Sequence, residues 1–187
     1  SYAFIAGKAN NGNKPLVLTA WGSDVLLLPK RSIIHRWLVK QGLTYADVVT
    51  ADSAQMLEEI QTLCPGKDVV NANFGVDIDL PVALNTNREL ILYSNRMHEP
   101  LYRIEDILNE FNAMCKDSDG QLILAGKGSL TEKLKRFTML HELTNQVTFT
   151  GFVTKTQNMS NYLKSKFFIS IPPSAGPSIS LLKALAY

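Results

Sequence analysis

Residues 121–150 read QLILAGKGSLTEKLKRFTMLHELTNQVTFT, and this stretch decides the fold. Gln121 to Ala125 is a short apolar run of strand length, and Gly126 and Gly128 punctuate its end. Leu130 to Leu143 then carries apolar residues at helical spacing, and Gln146 to Thr150 is a second strand. A strand, a crossover helix and another apolar strand make a parallel pair, because antiparallel neighbours need only a short turn. The alternation continues on both sides. Upstream lie a strand from Leu90 to Tyr93 and a helix from Ile104 to Met114. Downstream lie a helix from Gln157 to Leu163, a strand from Lys166 to Ile171, and a last helix starting near Ser178.

The first part of the chain repeats the pattern. Leu16 to Thr19 reads as a buried strand, and Trp21-Gly22-Ser23-Asp24 turns away from it. Ile33, Ile34, Trp37 and Leu38 fit an amphipathic helix ending at Gln41-Gly42. Asp47 to Thr50 is a strand, and Asp52-Ser53 caps a helix running to about Leu63, with Glu58 and Glu59 on its outer face. Asp68 to Asn71 is a third strand. From Asn73 to about Arg88 the chain is polar and irregular, with Gly75, Pro81 and Asn85-Thr86-Asn87, and this is the best linker. The class is doubly wound α/β with two Rossmann-like units, one in residues 1–80 and one in residues 81–187. Tyr187 falls inside an apparent helix, so both ends read as cuts. The first unit is expected to be truncated at its N-terminal side and the second to lack its C-terminal end. Ligands belong beyond the carboxyl ends of the strands.

Composition narrows the classes. The chain has 187 residues, 45% hydrophobic and 19% charged, ordinary values for a globular chain with a core. A net charge of +2 is too mild for a nucleic-acid partner, and no stretch is expected to concentrate the base. Weak attraction to an anionic membrane surface stays open. Cys64 and Cys115 lack metal-type spacing and read as reduced thiols. No apolar run reaches bilayer length, and the opening residues are not expected to be a signal peptide.

The chemistry is expected in the loops after the strands of the second unit. Arg96 follows the strand ending at Tyr93, where its fork suits a diphosphate, although taken alone it reads rather as a solvated loop cation. Gly126-Lys127-Gly128-Ser129 lets the backbone approach a ligand ahead of a helix, or is a tight turn. Gly151-Phe152-Val153 offers exposed backbone beside an aromatic ring, suited to the edge of a base. In Pro172 to Ser180, small residues and Gly176 precede a helix whose free N–H groups at Ser178, Ile179 and Ser180 make an anion site, or a simple cap. The GxG lacks the full dinucleotide fingerprint, so a hydride-transfer reading is weak.

These residues, in this order, resemble the retaining glycosyltransferases of the GT-B fold, the family 4-like "glycosyl transferases group 1". Leu122 to Leu130 resembles the family's second strand and loop, Val147 to Val153 its base-contacting strand end, and Ser170 to Ala186 its donor loop and helix. Pro15 to Asp24, Ala46 to Ser53 and Val70 to Asp77 resemble the later part of the acceptor domain. The resemblance implies transfer of a sugar from a nucleotide-sugar donor, such as a UDP-sugar or GDP-sugar, to a glycan or lipid-linked acceptor with retention. It implies no metal and no other cofactor. Arg96 then neutralises the diphosphate with the helix start at Ser178, Ile179 and Ser180; Gly126 and Gly128 lie beneath the donor; Phe152 and Val153 lie beside the base; Lys127 and Gly176 are counted among the donor-binding residues. The setting it implies is bacterial surface polysaccharide or lipopolysaccharide synthesis in the cytoplasm, peripheral at the inner face of the membrane.

Three departures from the family pattern stand out. Ala175 and Lys183 occupy the positions of two acidic residues, and Lys183 is a substitute contact to phosphate or ribose. The lysine that partners the arginine has no clear counterpart; Arg103 is the nearest substitute. The opening strands of the acceptor domain are absent, so no catalytic residue is assigned. The alternative reading is a degenerate, non-catalytic nucleotide-sugar-binding module of the same fold. His98 lies in the arginine loop within reach of a ligand, whereas His35 and His141 read as surface residues.

Overall fold

The computed structural model describes residues 2–73, 75–78, 87–115, 118–173 and 178–187, with Cys115 described by its backbone alone. The chain divides into two compact units: Ser1–Gly75 with Ser174–Ser178, and Val76–Pro173 with Ile179–Tyr187.

In the first unit, α1 (Tyr2–Asn10) precedes β1 (Val17–Thr19), a π-wound turn (Ser23–Leu27), and α2 (Leu28–Arg31). Then come α3 (Ile33–Tyr45), β2 (Val48–Ala51), α4 (Ala54–Leu63) and β3 (Val69–Asn71). The strands form a parallel sheet in the order β1-β2-β3. Ser53 caps α4 by accepting a hydrogen bond from the Met56 amide. The α4 face with Met56, Ile60 and Leu63 packs with Val49, Val39 and Leu43 into the core, which also holds the free, buried Cys64.

The first helix was not expected, and α3 differs from its sequence reading. It runs to Tyr45, three residues past Gly42. Gly42 is no terminator: a Cβ there would lie 2.8 Å from Ala3 Cβ, and one on Gly7 would lie 2.4 Å from Tyr45 Cβ. Missing side chains at these two glycines let the backbones of α1 and α3 approach. Of the residues read as its amphipathic pattern, Ile33, Ile34 and Trp37 are 87%, 70% and 52% exposed; Val39, Gly42 and Leu43 are buried.

The second unit comprises β4 (Glu89–Ser94), a 3-10 turn (Pro100–Tyr102), α5 (Ile104–Cys115), β5 (Gln121–Ala125), α6 (Thr131–Leu140) and β6 (Val147–Gly151). It closes with α7 (Lys155–Lys164), β7 (Ser165–Phe168) and α8 (Ile179–Ala186). Its parallel sheet has the order β6-β5-β4-β7. The strands alternate as the two-residue period of a pleated sheet demands. Leu92, Leu122 and Leu124 face α5 and α6, packing on Ile107, Leu108 and Leu134. Ile91, Tyr93, Ile123 and Ala125 form a second core with Tyr162 of α7 and Ala184 of α8. β7 ends at Phe168 rather than at Ile171. Beyond it the Ile169 amide still bonds Tyr93 O at 2.9 Å, but the chain then leaves the sheet. Among the described residues no helix is long and apolar enough to cross a membrane.

Candidate functional site

In the second unit the chain runs from β4 through β5 to β6 on one side, then returns so that β7 lies on the other side of β4. The switch point is therefore at the carboxyl ends of β4 and β7, where doubly wound sheets open a crevice. Arg96 and Ser170 follow those two strands and meet there: Arg96 Nε donates to Ser170 Oγ at 2.8 Å. The guanidinium also lies over the Tyr102 ring, 5.5 Å from its centroid. Among the described residues neither Nη of the guanidinium has a hydrogen-bond partner. Burial pushes the Arg96 guanidinium below its ordinary value, while Tyr102 and Tyr162 pull it back up. Among the described residues no carboxylate forms an ion pair with it. A half-buried cation without a counter-ion is poised for an external anion.

Beside Arg96, a polar network ties β4 to α7 and α8. Tyr93 Oη donates to Asn158 Oδ1 at 2.5 Å. Asn95 Nδ2 donates to Asn158 Oδ1 at 3.1 Å and to Tyr162 Oη at 2.9 Å. Tyr162 Oη in turn donates to Ser180 O at 3.0 Å. The N-terminal turn of α8 is thus held by a hydroxyl from α7. Burial pushes the Tyr93 phenol up to about 12 and raises Tyr162 too, so both stay neutral donors. Asn95 Oδ1 is a buried acceptor with no partner among the described residues.

The GxG loop is shaped by the Arg96 loop. Gly126 has φ +110°, and a Cβ there would lie 2.7 Å from Arg96 O. A Cβ on Gly128 would lie 2.4 Å from His98 O. The loop amides are used internally. Gly126 N donates to Gly151 O at 2.7 Å, Gly128 N to Thr131 Oγ1 at 2.9 Å, and Ser129 N to Glu99 Oε1 at 2.7 Å. Ser129 Oγ adds a bond to Glu99 Oε2 at 2.6 Å, and these Ser129 bonds hold the Glu99 carboxyl below its usual range. The two glycines therefore seat one strand-end loop against another.

Lys127 is exposed, and its Cε lies 2.9 Å from where a Gly151 Cβ would be, so its stem crosses the end of β6. Phe152 is 71% exposed at that end, while Val153 packs toward the Tyr93 core. Ile179 opens α8, Ser180 is half-buried, and Lys183 lies in the last turn. Ser178 groups with the first unit. Gly176 and Ala175 lie outside the described residues.

His98 is fully buried, with Nδ1 3.0 Å from Thr131 Oγ1 and its ring edge-on to Phe149. It holds the loop together rather than reaching a ligand. His35 is engaged with Ser32 at the α3 cap. His141 lies 4.1 Å from the Phe137 ring centroid. Among the described residues no three His, Cys, Asp or Glu side chains cluster as a metal site.

Sequence reasoning placed Arg96 at the strand end but missed Ser170, Tyr102 and the network of Asn95, Asn158 and Tyr162. One signal was available for Asn95. Tyr93 and Asn95 are two residues apart at the end of one strand, so both face α7.

Residues 88–187 match the family model described as Glycosyl transferases group 1, and residues 1–53 match the one described as Glycosyl transferase 4-like. The chain belongs to the glycosyl transferases group 1 family. No curated protein matches it. Solved structures similar to it are GT-B glycosyltransferases. One is a point mutant of S. aureus TarM in complex with fondaparinux, alpha-GlcNAc-glycerol and UDP, at 15% identity and TM-score 0.76, covering 95% of this chain and 36% of that one. Another is Anabaena HepE in complex with UDP and glucose, at 14% identity and TM-score 0.75, covering 97% of this chain and 54% of that one. A third is the sucrose-phosphate synthase of Thermosynechococcus elongatus, at 15% identity and TM-score 0.78, covering 97% and 52%. At such identities the likeness concerns the fold. The chain spans 36% to 54% of the length of these proteins.

Proposed function

We propose that residues 81–187 bind the nucleoside diphosphate of a nucleotide sugar and residues 1–80 belong to the acceptor side. The parent activity is then transfer of the sugar, with retention, to a glycan or lipid-linked acceptor. UDP-sugars and GDP-sugars are the donor classes, and no metal or other cofactor takes part. The setting is bacterial surface polysaccharide or lipopolysaccharide synthesis on the cytoplasmic side of the membrane.

The observation that carries this reading is Arg96. It is a half-buried cation at the switch point, oriented by Ser170 and Tyr102 and without a carboxylate partner among the described residues. In the transfer, the acceptor hydroxyl attacks the anomeric carbon on the face from which the diphosphate leaves. Charge builds on the departing phosphate, and a pre-oriented guanidinium stabilises it without reorganisation. In this reading Phe152 and Val153 lie beside the base, the helix start at Ser178, Ile179 and Ser180 receives the diphosphate, and Lys127 and Lys183 are further donor contacts. UDP in the TarM and HepE complexes supports the ligand class. Calorimetric titration with UDP and GDP tests the reading: one of them binds, and Arg96→Ala weakens it. Absence of binding by either nucleotide rejects the reading.

A second reading is a degenerate nucleotide-sugar-binding module. Ala175 and Lys183 favour it, because they stand where the family pattern has carboxylates. Release of labelled sugar from a donor to an acceptor by this protein rejects the second reading. Nucleotide binding with no transfer supports it.

A further inference from the structure

We propose, on the strength of the donor reading above, that Glu99 is a positioning residue for the donor diphosphate: its carboxylate anchors the turn that aims Arg96. The guanidinium of Arg96 hangs from a loop that leaves β4 at Ser94 and enters α5 at Ile104. A flexible arginine loses side-chain freedom when it grips a ligand, and a pre-oriented one loses much less. Two contacts orient the fork directly, Ser170 Oγ at Nε and the Tyr102 ring beneath it. The ring supports the cation only while the turn that carries it stays in place. That turn is Pro100–Tyr102, and Glu99 stands at its start.

Glu99 holds this turn from two sides. Its carbonyl accepts from the Tyr102 amide at 2.9 Å, which closes the turn. Its side chain makes no cap bond within the turn and reaches instead to the approach to α6. There Oε1 accepts from Ser129 N at 2.7 Å and Oε2 from Ser129 Oγ at 2.6 Å, a paired, charge-assisted grip on one residue. The turn ends at Arg103 with φ +54°, a left-handed conformation that is costly for a residue with a side chain. A turn closing on a strained residue needs an anchor outside itself, and Ser129 supplies it. His98 fixes the loop one step earlier, through His98 N to Lys127 O at 3.3 Å and Leu130 N to His98 O at 2.9 Å.

The charges point the same way. Glu99 sits three residues from Arg96, yet among the described residues it forms no ion pair with that cation. Its charge is turned to the N-terminal end of α6, where the helix dipole favours it, so the loop gains an anchor and Arg96 keeps its charge for a ligand. Arg103, the nearest substitute for the family's second cation, is paired with Asp106 at 2.5 Å. The grip on phosphate therefore leans on Arg96, and its aim matters more. Tyr102 also packs against the core between α5 and α6, so loss of the anchor should weaken binding less than loss of Arg96 itself.

The test is a double-mutant cycle, read by titrating UDP, or GDP if that is the nucleotide bound, into the intact chain. Glu99→Ala should weaken binding about fivefold. Glu99→Gln can keep both hydrogen bonds without the charge and should weaken it about twofold. Ser129→Ala removes the Oγ bond from the other side and should weaken it about threefold, a milder probe should Glu99→Ala not fold. In the Arg96→Ala background, Glu99→Ala or Ser129→Ala should weaken binding by less than about twofold, because a residue that acts through Arg96 has nothing left to aim. Losses of equal size in both backgrounds overturn the proposal, since Glu99 would then be a general support of the fold. Variants at Glu99 and Ser129 that bind the nucleotide as tightly as the wild type overturn it too and leave the donor reading intact. A wild-type chain that binds neither nucleotide rejects the donor reading and this role of Glu99 together.

Discussion

Replacing Tyr162 by Phe removes one oxygen from the second unit and leaves the ring in place. That oxygen accepts from Asn95 Nδ2 at 2.9 Å and donates to Ser180 O at 3.0 Å. Asn95 Nδ2 keeps Asn158 Oδ1 at 3.1 Å as a partner, but the Ser180 carbonyl loses this bond. The ring still packs on Tyr93, Phe168 and Tyr187, at centroid distances of 5.3, 5.4 and 5.8 Å. The Ser180 carbonyl keeps its place in the α8 ladder, so the loss is one neutral hydrogen bond, about 1 kcal/mol. In a unit of this size that lowers the melting temperature by roughly 5 °C. If the bond also fixes the N-terminal turn of α8, UDP affinity falls about tenfold, the equivalent of one phosphate bond. Scanning calorimetry and nucleotide titration on the same sample give both numbers. A Tyr162→Phe variant that melts within about 1 °C of the wild type refutes the claim that this hydroxyl holds α8.

Two further predictions concern the strand-end loops. Gly126→Ala places a Cβ 2.7 Å from Arg96 O at φ +110°, and should destabilise by about 2–4 kcal/mol, read from the urea midpoint. His98 titrates below its ordinary value because it is buried, with Lys135 pulling the same way and Glu99 opposing. Below about pH 6.5 the unfolded chain binds a proton that the native site resists, so stability should fall with pH there. The urea midpoint should drop between pH 7 and 5, and His98→Gln should flatten that slope.

Most of the second sheet was legible in the sequence because its strands are short apolar runs broken by glycine, and the helices between them have clear stripes. Gln121–Ala125 matches to the residue. The end of β7 was misread because Ile169 and Ile171 prolong the apolar run, although the chain turns out of the sheet after Phe168. α1 was missed for a different reason. It has no apolar stripe, and its contact with α3 depends on the absence of side chains at Gly7 and Gly42. Sequence patterns show side chains that pack but not gaps that backbones fill. The same limit explains Gly42 being read as a helix end. At the site, a strand-end arginine can be read from sequence order. Its bond to Ser170, 74 residues away, depends on the strand order β4-β7.

The central claim is that Arg96 waits for a diphosphate. Isothermal titration of UDP and GDP into the chain and into Arg96→Ala tests it most directly. A charge-assisted phosphate contact is worth about 1.5–3 kcal/mol, so the variant should bind about 10- to 100-fold more weakly, while its melting temperature changes little. A variant that binds the nucleotide as tightly as the wild type would contradict the account, as would a wild-type chain that binds neither nucleotide.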